Sequence, residues 1–231
     1  GLYPGDDGIF TIDAGTLAGD VVSGTLSNVE RLSVANLVAQ PLIVSVSAEE
    51  NGKTIYLSPA QILEVTLDSN PTTGYSWALS DGSTVPLSFA GEPEYIAPND
   101  DRLGAGGIEV LRFDVADFGS GELQLDYVRS FEKDAQPAET FHLNVIVVAT
   151  TAENGSSVTL PVGEALAVDL PGNPSTGYQW QVVDNDGQIL AQTSDPVTIS
   201  PFAMPGAGGI QRFTFEGVAQ GTMTLNMRYV R

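Results

Sequence analysis

Two stretches of this chain carry residue types suited to recognition rather than to reaction. Asn70-Pro71-Thr72-Thr73-Gly74-Tyr75 leads into Trp77, and Asn173-Pro174-Ser175-Thr176-Gly177-Tyr178 leads into Trp180, with Asn173 lying 103 residues after Asn70. In each, proline fixes φ, glycine permits positive φ, and the hydroxyls between them can bond the loop's own backbone. That chemistry predicts a stiff, exposed loop, ordered before any partner arrives. Preordering spares about 0.5–1.5 kcal/mol for each rotamer-rich side chain that binding would otherwise immobilise. A second stretch, Gly104-Ala105-Gly106-Gly107, recurs as Gly206-Ala207-Gly208-Gly209 and would let a partner approach bare backbone. A third, Tyr127-Val128-Arg129 with Ser130-Phe131 behind it, recurs as Tyr229-Val230-Arg231.

Chemistry of the reactive kind is poorly supplied. Cysteine is absent, so disulfides, thiolate metal sites and cysteine nucleophiles are excluded. The single histidine, His142, sits in the apolar run Phe141–Val148 and reads as a sheet residue. A Ser/His/Asp triad would need that one imidazole in a cleft beside a nucleophile, and zinc would find few of its usual ligands. Asp184-Asn185-Asp186-Gly187 echoes part of a calcium loop but lacks the distal glutamate. No enzyme and no cofactor are expected. Net charge is −20, from 29 acidic against 9 basic residues. Such a field repels phosphate backbones and argues against nucleic acid. It suits a secreted or periplasmic protein. No apolar run approaches a membrane span, and no signal peptide is visible, as expected of a chain that has lost one.

The elements that must position these loops repeat with them. Asn51-Gly52 returns as Asn154-Gly155, and Ile62–Leu67 is answered by Ala165–Leu170. Four landmarks in one order predict duplicated domains: residues 49–150 and residues 151–231, called repeats one and two below. Between landmarks, Glu109–Val115, Glu122–Val128 and Val158-Thr159-Leu160 are alternating or β-branched and bounded by turn residues, so they read as strands. Many short strands in roughly 100 residues predict an all-β chain of tandem β-sandwiches. Trp77 and Trp180 are expected in the cores, with Tyr127 and Tyr229 packing beside them. Arg129 reads either as part of a contact surface or as a solvated charge.

Residues 1–48 read either as the tail half of a degenerate third repeat or as a linker or divergent cap; whether Leu26–Val38 is helical is undecided. Pro41–Ala48 resembles Leu143–Thr151, and repeat two stops at Arg231 where repeat one runs on to His142–Ala149. The expectation is that repeat two lacks its last strand. The surplus strand Leu42–Ala48 of another molecule would then complete it head to tail.

Asn-Gly, an alternating strand, Asn-Pro-Thr-Thr-Gly-x-x-Trp, Gly-x-Gly-Gly and Tyr-x-Arg together resemble the chagasin family of cysteine-protease inhibitors. The resemblance spans about residues 51–150 and 154–231. It implies an immunoglobulin-like β-sandwich whose first loop covers the catalytic cysteine of a papain-like protease while the other two grip either side. Carried over, the protease-binding residues are Asn70, Pro71, Thr72, Thr73, Gly74 and Tyr75, with Gly104, Ala105, Gly106, Gly107, Arg129 and Phe131. In repeat two they are Asn173, Pro174, Ser175, Thr176, Gly177 and Tyr178, with Gly206, Ala207, Gly208, Gly209 and Arg231. Repeat one has Arg129-Ser130-Phe131 where the family has Arg-Pro-Trp, and repeat two has nothing after the arginine. Those departures favour the rival expectation, a non-inhibitory adhesion or interaction module on the same fold.

Overall fold

The computed structural model describes residues 9–15, 42–98, 104–132, 136–200 and 208–231. The regular structure of the described residues is strand, with four single-turn 3-10 helices and no α-helix among them. They form two compact units. One is Pro41–Val147; the other is Val148–Arg231 together with an N-terminal strand. The undecided stretch Leu26–Val38 lies outside the described residues.

In the repeat-one unit, β2 (Leu42–Ser47) pairs in parallel with β4 (Gln61–Ser69), which pairs antiparallel with β8 (Gly107–Val115). Two short strands, β6 (Leu87–Phe89) and β7 (Glu94–Ile96), share the other edge of β8. The facing sheet runs β3 (Thr54–Leu57), β10 (Glu139–Ala149), β9 (Ser120–Arg129), β5 (Tyr75–Leu79). Alternation decides which side chains meet between them. Leu63, Val65 and Leu67 point inward from β4, Leu111 and Phe113 from β8, and Leu123, Leu125, Phe141, Leu143 and Val145 from the facing sheet. Each burial of such a side chain contributes about 1.5–3 kcal/mol. The result is an immunoglobulin-like sandwich. His142 sits on β10 opposite Gln124, a sheet position as expected.

The repeat-two unit repeats the plan with β11 (Ser157–Thr159), β12 (Ala165–Gly172), β13 (Gln179–Val183), β14 (Leu190–Gln192), β15 (Val197–Ile199), β16 (Gly209–Gly217) and β17 (Thr224–Val230). The end of β10 does for β12 what β2 does for β4: Val148 and Ala149 pair in parallel with Ala167 and Val168. Leu166, Val168, Leu170, Phe213, Phe215, Leu225 and Met227 are buried here.

The ends of the chain correct the expectation drawn from them. Repeat two does not go without its closing strand, because β1 (Ile9–Gly15) occupies that place. It pairs antiparallel with β17 and parallel with β11, the same senses in which β10 pairs with β9 and β3 in repeat one. Leu42–Ser47 is not surplus either, being engaged by β4 of its own repeat. Linear order concealed this, since β1 stands before everything it closes. The described part of the N-terminal segment is paired strand, β1 in the repeat-two unit and β2 in the repeat-one unit. Asp184-Asn185-Asp186-Gly187 folds as a turn: Asn185 Oδ1 accepts from the Gly187 N–H at 3.0 Å and Asp186 Oδ1 from the Gln188 N–H at 3.0 Å.

Trp77 and Trp180 are both buried, at 5% and 9% exposure, as the sequence predicts. Each indole N–H donates to a strand carbonyl, Trp77 to Asp68 and Trp180 to Pro171, both at 2.9 Å. Trp77→Ala is expected to destabilise repeat one by about 3–5 kcal/mol, measured by urea unfolding. Native emission that is red-shifted and readily quenched would contradict the burial on which this rests.

Candidate binding site

The first loop of repeat one is locked by its own polar groups. Pro71–Thr73 make one 3-10 turn, closed by the Thr73 N–H to Asn70 O at 3.0 Å and the Gly74 N–H to Pro71 O at 2.9 Å. The Thr72 hydroxyl donates to Asn70 Oδ1 and the Thr73 hydroxyl to Asn70 O, each at 2.6 Å. Gly74 takes φ 83°, a left-handed conformation that side chains rarely adopt. Below the loop, the Tyr127 hydroxyl accepts from the Asn70 N–H at 2.7 Å, and its ring stacks on Tyr75 and against Trp77.

The other two loops meet the first directly. Asn70 Nδ2 donates to Gly104 O at 3.0 Å, joining the glycine-rich loop to it. Arg129 Nε donates to Thr73 O at 3.1 Å, and its guanidinium lies 4.4 Å above the Tyr75 ring. Glu132 accepts from Arg129 Nη1 at 2.8 Å, and this bond above all holds the guanidinium more firmly protonated than an ordinary arginine. Arg129 is therefore not simply a solvated charge. Phe131 is 68% exposed, yet a Cβ on Gly74 would come within 2.9 Å of its ring, so the aromatic lies against the loop. At Gly107 a Cβ would collide with the Ile96 carbonyl and the Tyr95 ring, which is why β7 can lie so close. One end of the sandwich thus gathers Asn70–Tyr75, Gly104–Gly107, Arg129 and Phe131, with Pro71, Thr72 and Thr73 exposed.

Repeat two reproduces the hydroxyl bonds of the first loop. The Thr176 hydroxyl donates to Asn173 O and the Ser175 hydroxyl to Asn173 Oδ1, each at 2.6 Å, across the turn Pro174–Thr176. Tyr229 accepts from the Asn173 N–H at 2.9 Å and packs on Tyr178 and Trp180. Gly177 has φ 79°. Arg231 sits farther from its tyrosine, 5.9 Å from the Tyr178 ring centre. Gly208 and Gly209 lead into β16, while Gly206 and Ala207 lie outside the described residues.

The sequence left several residues of this site unassigned. Tyr127 and Tyr229 read as packing, but their hydroxyls also hold the loop's first N–H. Glu109 is buried at 6% exposure, and its Oε2 accepts from the Ser69 hydroxyl at 2.9 Å and from the Trp77 N–H at 3.2 Å. The matching residue of repeat two is Gln211, whose Oε1 accepts from the Trp180 N–H at 2.9 Å while Nε2 donates to Trp180 O at 3.3 Å. One signal pointed there. Glu109 and Gln211 are polar residues in phase with the inward-facing Leu111 and Phe113, or Phe213 and Phe215. Among the described residues no group of three or more acidic or histidine side chains is placed to hold a metal, and no helix is long and apolar enough to cross a membrane.

Both repeats resemble known proteins. The sequence profile of the Chagasin family peptidase inhibitor matches residues 56–145 and 159–231. Chagasin of Trypanosoma cruzi is 32% identical over 99 residues, which are 42% of this chain and 90% of that protein. Amoebiasin-1 of Entamoeba histolytica is 29% identical over 104 residues, 45% of this chain and 99% of that protein. Among solved structures, amebosin in solution is 32% identical with a TM-score of 0.39, covering 47% of this chain and 99% of its own. Each match takes less than half of this chain and nearly all of the relative.

Proposed function

This chain belongs to the chagasin family of peptidase inhibitors, and we propose that it is a reversible inhibitor of papain-like cysteine proteases. The observation that carries this reading is the prelocked loop of repeat one, tied to the second loop through Asn70 and to the third through Arg129. Thr72 and Thr73 stand exposed at its tip, and their hydroxyls already have partners within the loop. Little order remains to be imposed when such a loop enters a cleft, so its surface converts efficiently into affinity. In this reading Asn70–Tyr75 cover the catalytic cysteine, while Gly104–Gly107 and Arg129 with Phe131 lie along either side. The inhibitor supplies no reacting group; it acts by occlusion. Repeat two carries the same first loop and contributes a second contact set through Asn173–Tyr178. The acidic charge supports action in a secreted or periplasmic setting.

Titration of papain with the full chain tests the proposal. Reversible loss of activity is expected, with the chain recovered intact on a denaturing gel. Full papain activity at micromolar inhibitor, repeated with other papain-like enzymes, would overturn it. That outcome would favour a non-inhibitory interaction module, the reading to which Ser130-Phe131 in place of Pro-Trp gives its support.

A further inference from the structure

Buried Glu109 spans the base of the first loop. Ser69 is the last residue of β4, immediately before the loop, and Trp77 is on β5, immediately after it. These strands belong to different sheets of the sandwich. A single oxygen of Glu109, reaching from β8, accepts from both, and so fastens the strand that enters the loop to the strand that leaves it. A carboxyl at an inward position is a costly choice, since an apolar side chain of similar size would bury without needing partners. Leu111 and Phe113 occupy the next inward positions of the same strand. The exception falls where the loop is anchored.

The second repeat has exchanged both members of this arrangement. Gly172 stands where Ser69 does, and Gln211 where Glu109 does. Having no hydroxyl to receive on the entering strand, Gln211 turns both ends of its amide on Trp180, accepting from its N–H and donating to its carbonyl. A carboxylate could not make the second of those bonds. The pair has changed together, in the direction hydrogen-bond chemistry requires.

We propose that Glu109 is a positioning residue for the inhibitory loop of repeat one, clamping it from both sides, and that Gln211 holds the loop of repeat two from the leaving strand alone. Two tips with the same hydroxyl bonds are thereby held at different stiffness, and repeat one is the slower to release a protease. This rests on the inhibitor reading above. Its structural half can be tested without a protease.

The test uses the full chain carrying Ser175→Glu and Thr176→Glu, so that only the first loop of repeat one is intact. Into it are placed Glu109→Gln, Glu109→Leu, Ser69→Gly, and the pair Ser69→Gly with Glu109→Gln. Two quantities are read: dissociation rate from papain, and amide exchange at Thr73 and Gly74, whose N–H groups close the turn. Glu109→Leu is expected to raise both by about tenfold or more, the loss of two buried acceptor contacts. Glu109→Gln keeps an acceptor for the Trp77 N–H and should stay within about threefold, with the double variant falling between. A purely structural role would move the melting temperature while leaving exchange at Thr73 and Gly74 in step with the rest of repeat one. Glu109→Leu within twofold of the parent in both readouts would overturn the proposal, as would Glu109→Gln behaving like Glu109→Leu. If Glu109→Leu does not fold, Ser69→Gly decides: unchanged exchange and dissociation refute the clamp. A parent chain that never inhibits papain defeats the inhibitor reading alone, and the exchange measurement still decides on the clamp.

Discussion

Deleting residues 1–15 is expected to unfold repeat two and leave repeat one folded. β1 is an inner strand of its sheet, with three register pairs to β11 on one side and five to β17 on the other. Ladder hydrogen bonds contribute roughly 0.5–1.5 kcal/mol each, net of the water they displace. Their sum over this strand is comparable with the whole stability of a small domain, about 5–15 kcal/mol. The loss also strips β11 of the strand it pairs with and leaves β17, which carries the buried Leu225 and Met227, with an open edge. Hydrogen exchange read by peptide gives the outcome directly. Protection should collapse across β12, β16 and β17 and persist across β4, β8 and β9. Trp180 emission should move to the red while Trp77 stays put. Asp13→Pro is the point version, because proline cannot donate to a ladder and is not tolerated in an inner strand. Full protection of repeat two after the deletion would mean that the strand is dispensable.

Legibility of this architecture in the sequence depended on distance along the chain. The loops and their core tryptophans were readable because each is a local statement: Asn-Pro, a hydroxyl pair, a glycine, then an aromatic. Alternation along Ile62–Leu67 and Glu122–Tyr127 gave the strands, since burial of every second side chain is a property of the segment itself. β1 gave no such signal. It pairs with residues more than 200 positions away, and nothing in Ile9–Gly15 names β17 as its neighbour. The resemblance of Pro41–Ala48 to Leu143–Thr151 was real but misassigned. It marks the parallel pairing of β2 with β4 and of the end of β10 with β12. The capped turns that follow are also alike, Ser47 with Glu50 and Thr150 with Glu153. Tyr127 and Tyr229 were visible as repeated aromatics, yet the contribution of a hydroxyl depends on which N–H stands above it. That is a tertiary fact, and the same holds for Glu109 and Gln211.

Replacing Thr72 and Thr73 by glutamate should abolish inhibition by repeat one at small cost in stability. Both side chains are exposed, so no core contact is lost. The hydroxyl bonds to Asn70 Oδ1 and Asn70 O go with them, at about 0.5 kcal/mol each, the low end of the usual range because both are exposed to water. That lowers the melting temperature of a domain this size by several degrees at most. At the tip the consequence is far larger. Two carboxylates would have to be buried without partners in the cleft of the protease, and an unpaired charge taken out of water costs several kcal/mol. At 1.4 kcal/mol per tenfold, affinity should fall by at least about a hundredfold. Because repeat two carries the same loop, the measurement needs three variants: Thr72→Glu with Thr73→Glu, Ser175→Glu with Thr176→Glu, and all four together. The four-fold variant is expected to leave papain fully active. Each double variant should retain the inhibition of the untouched repeat, weaker where repeat two is the one left. Strong inhibition by the four-fold variant, with folding intact by circular dichroism, would place the protease contact somewhere other than these loops.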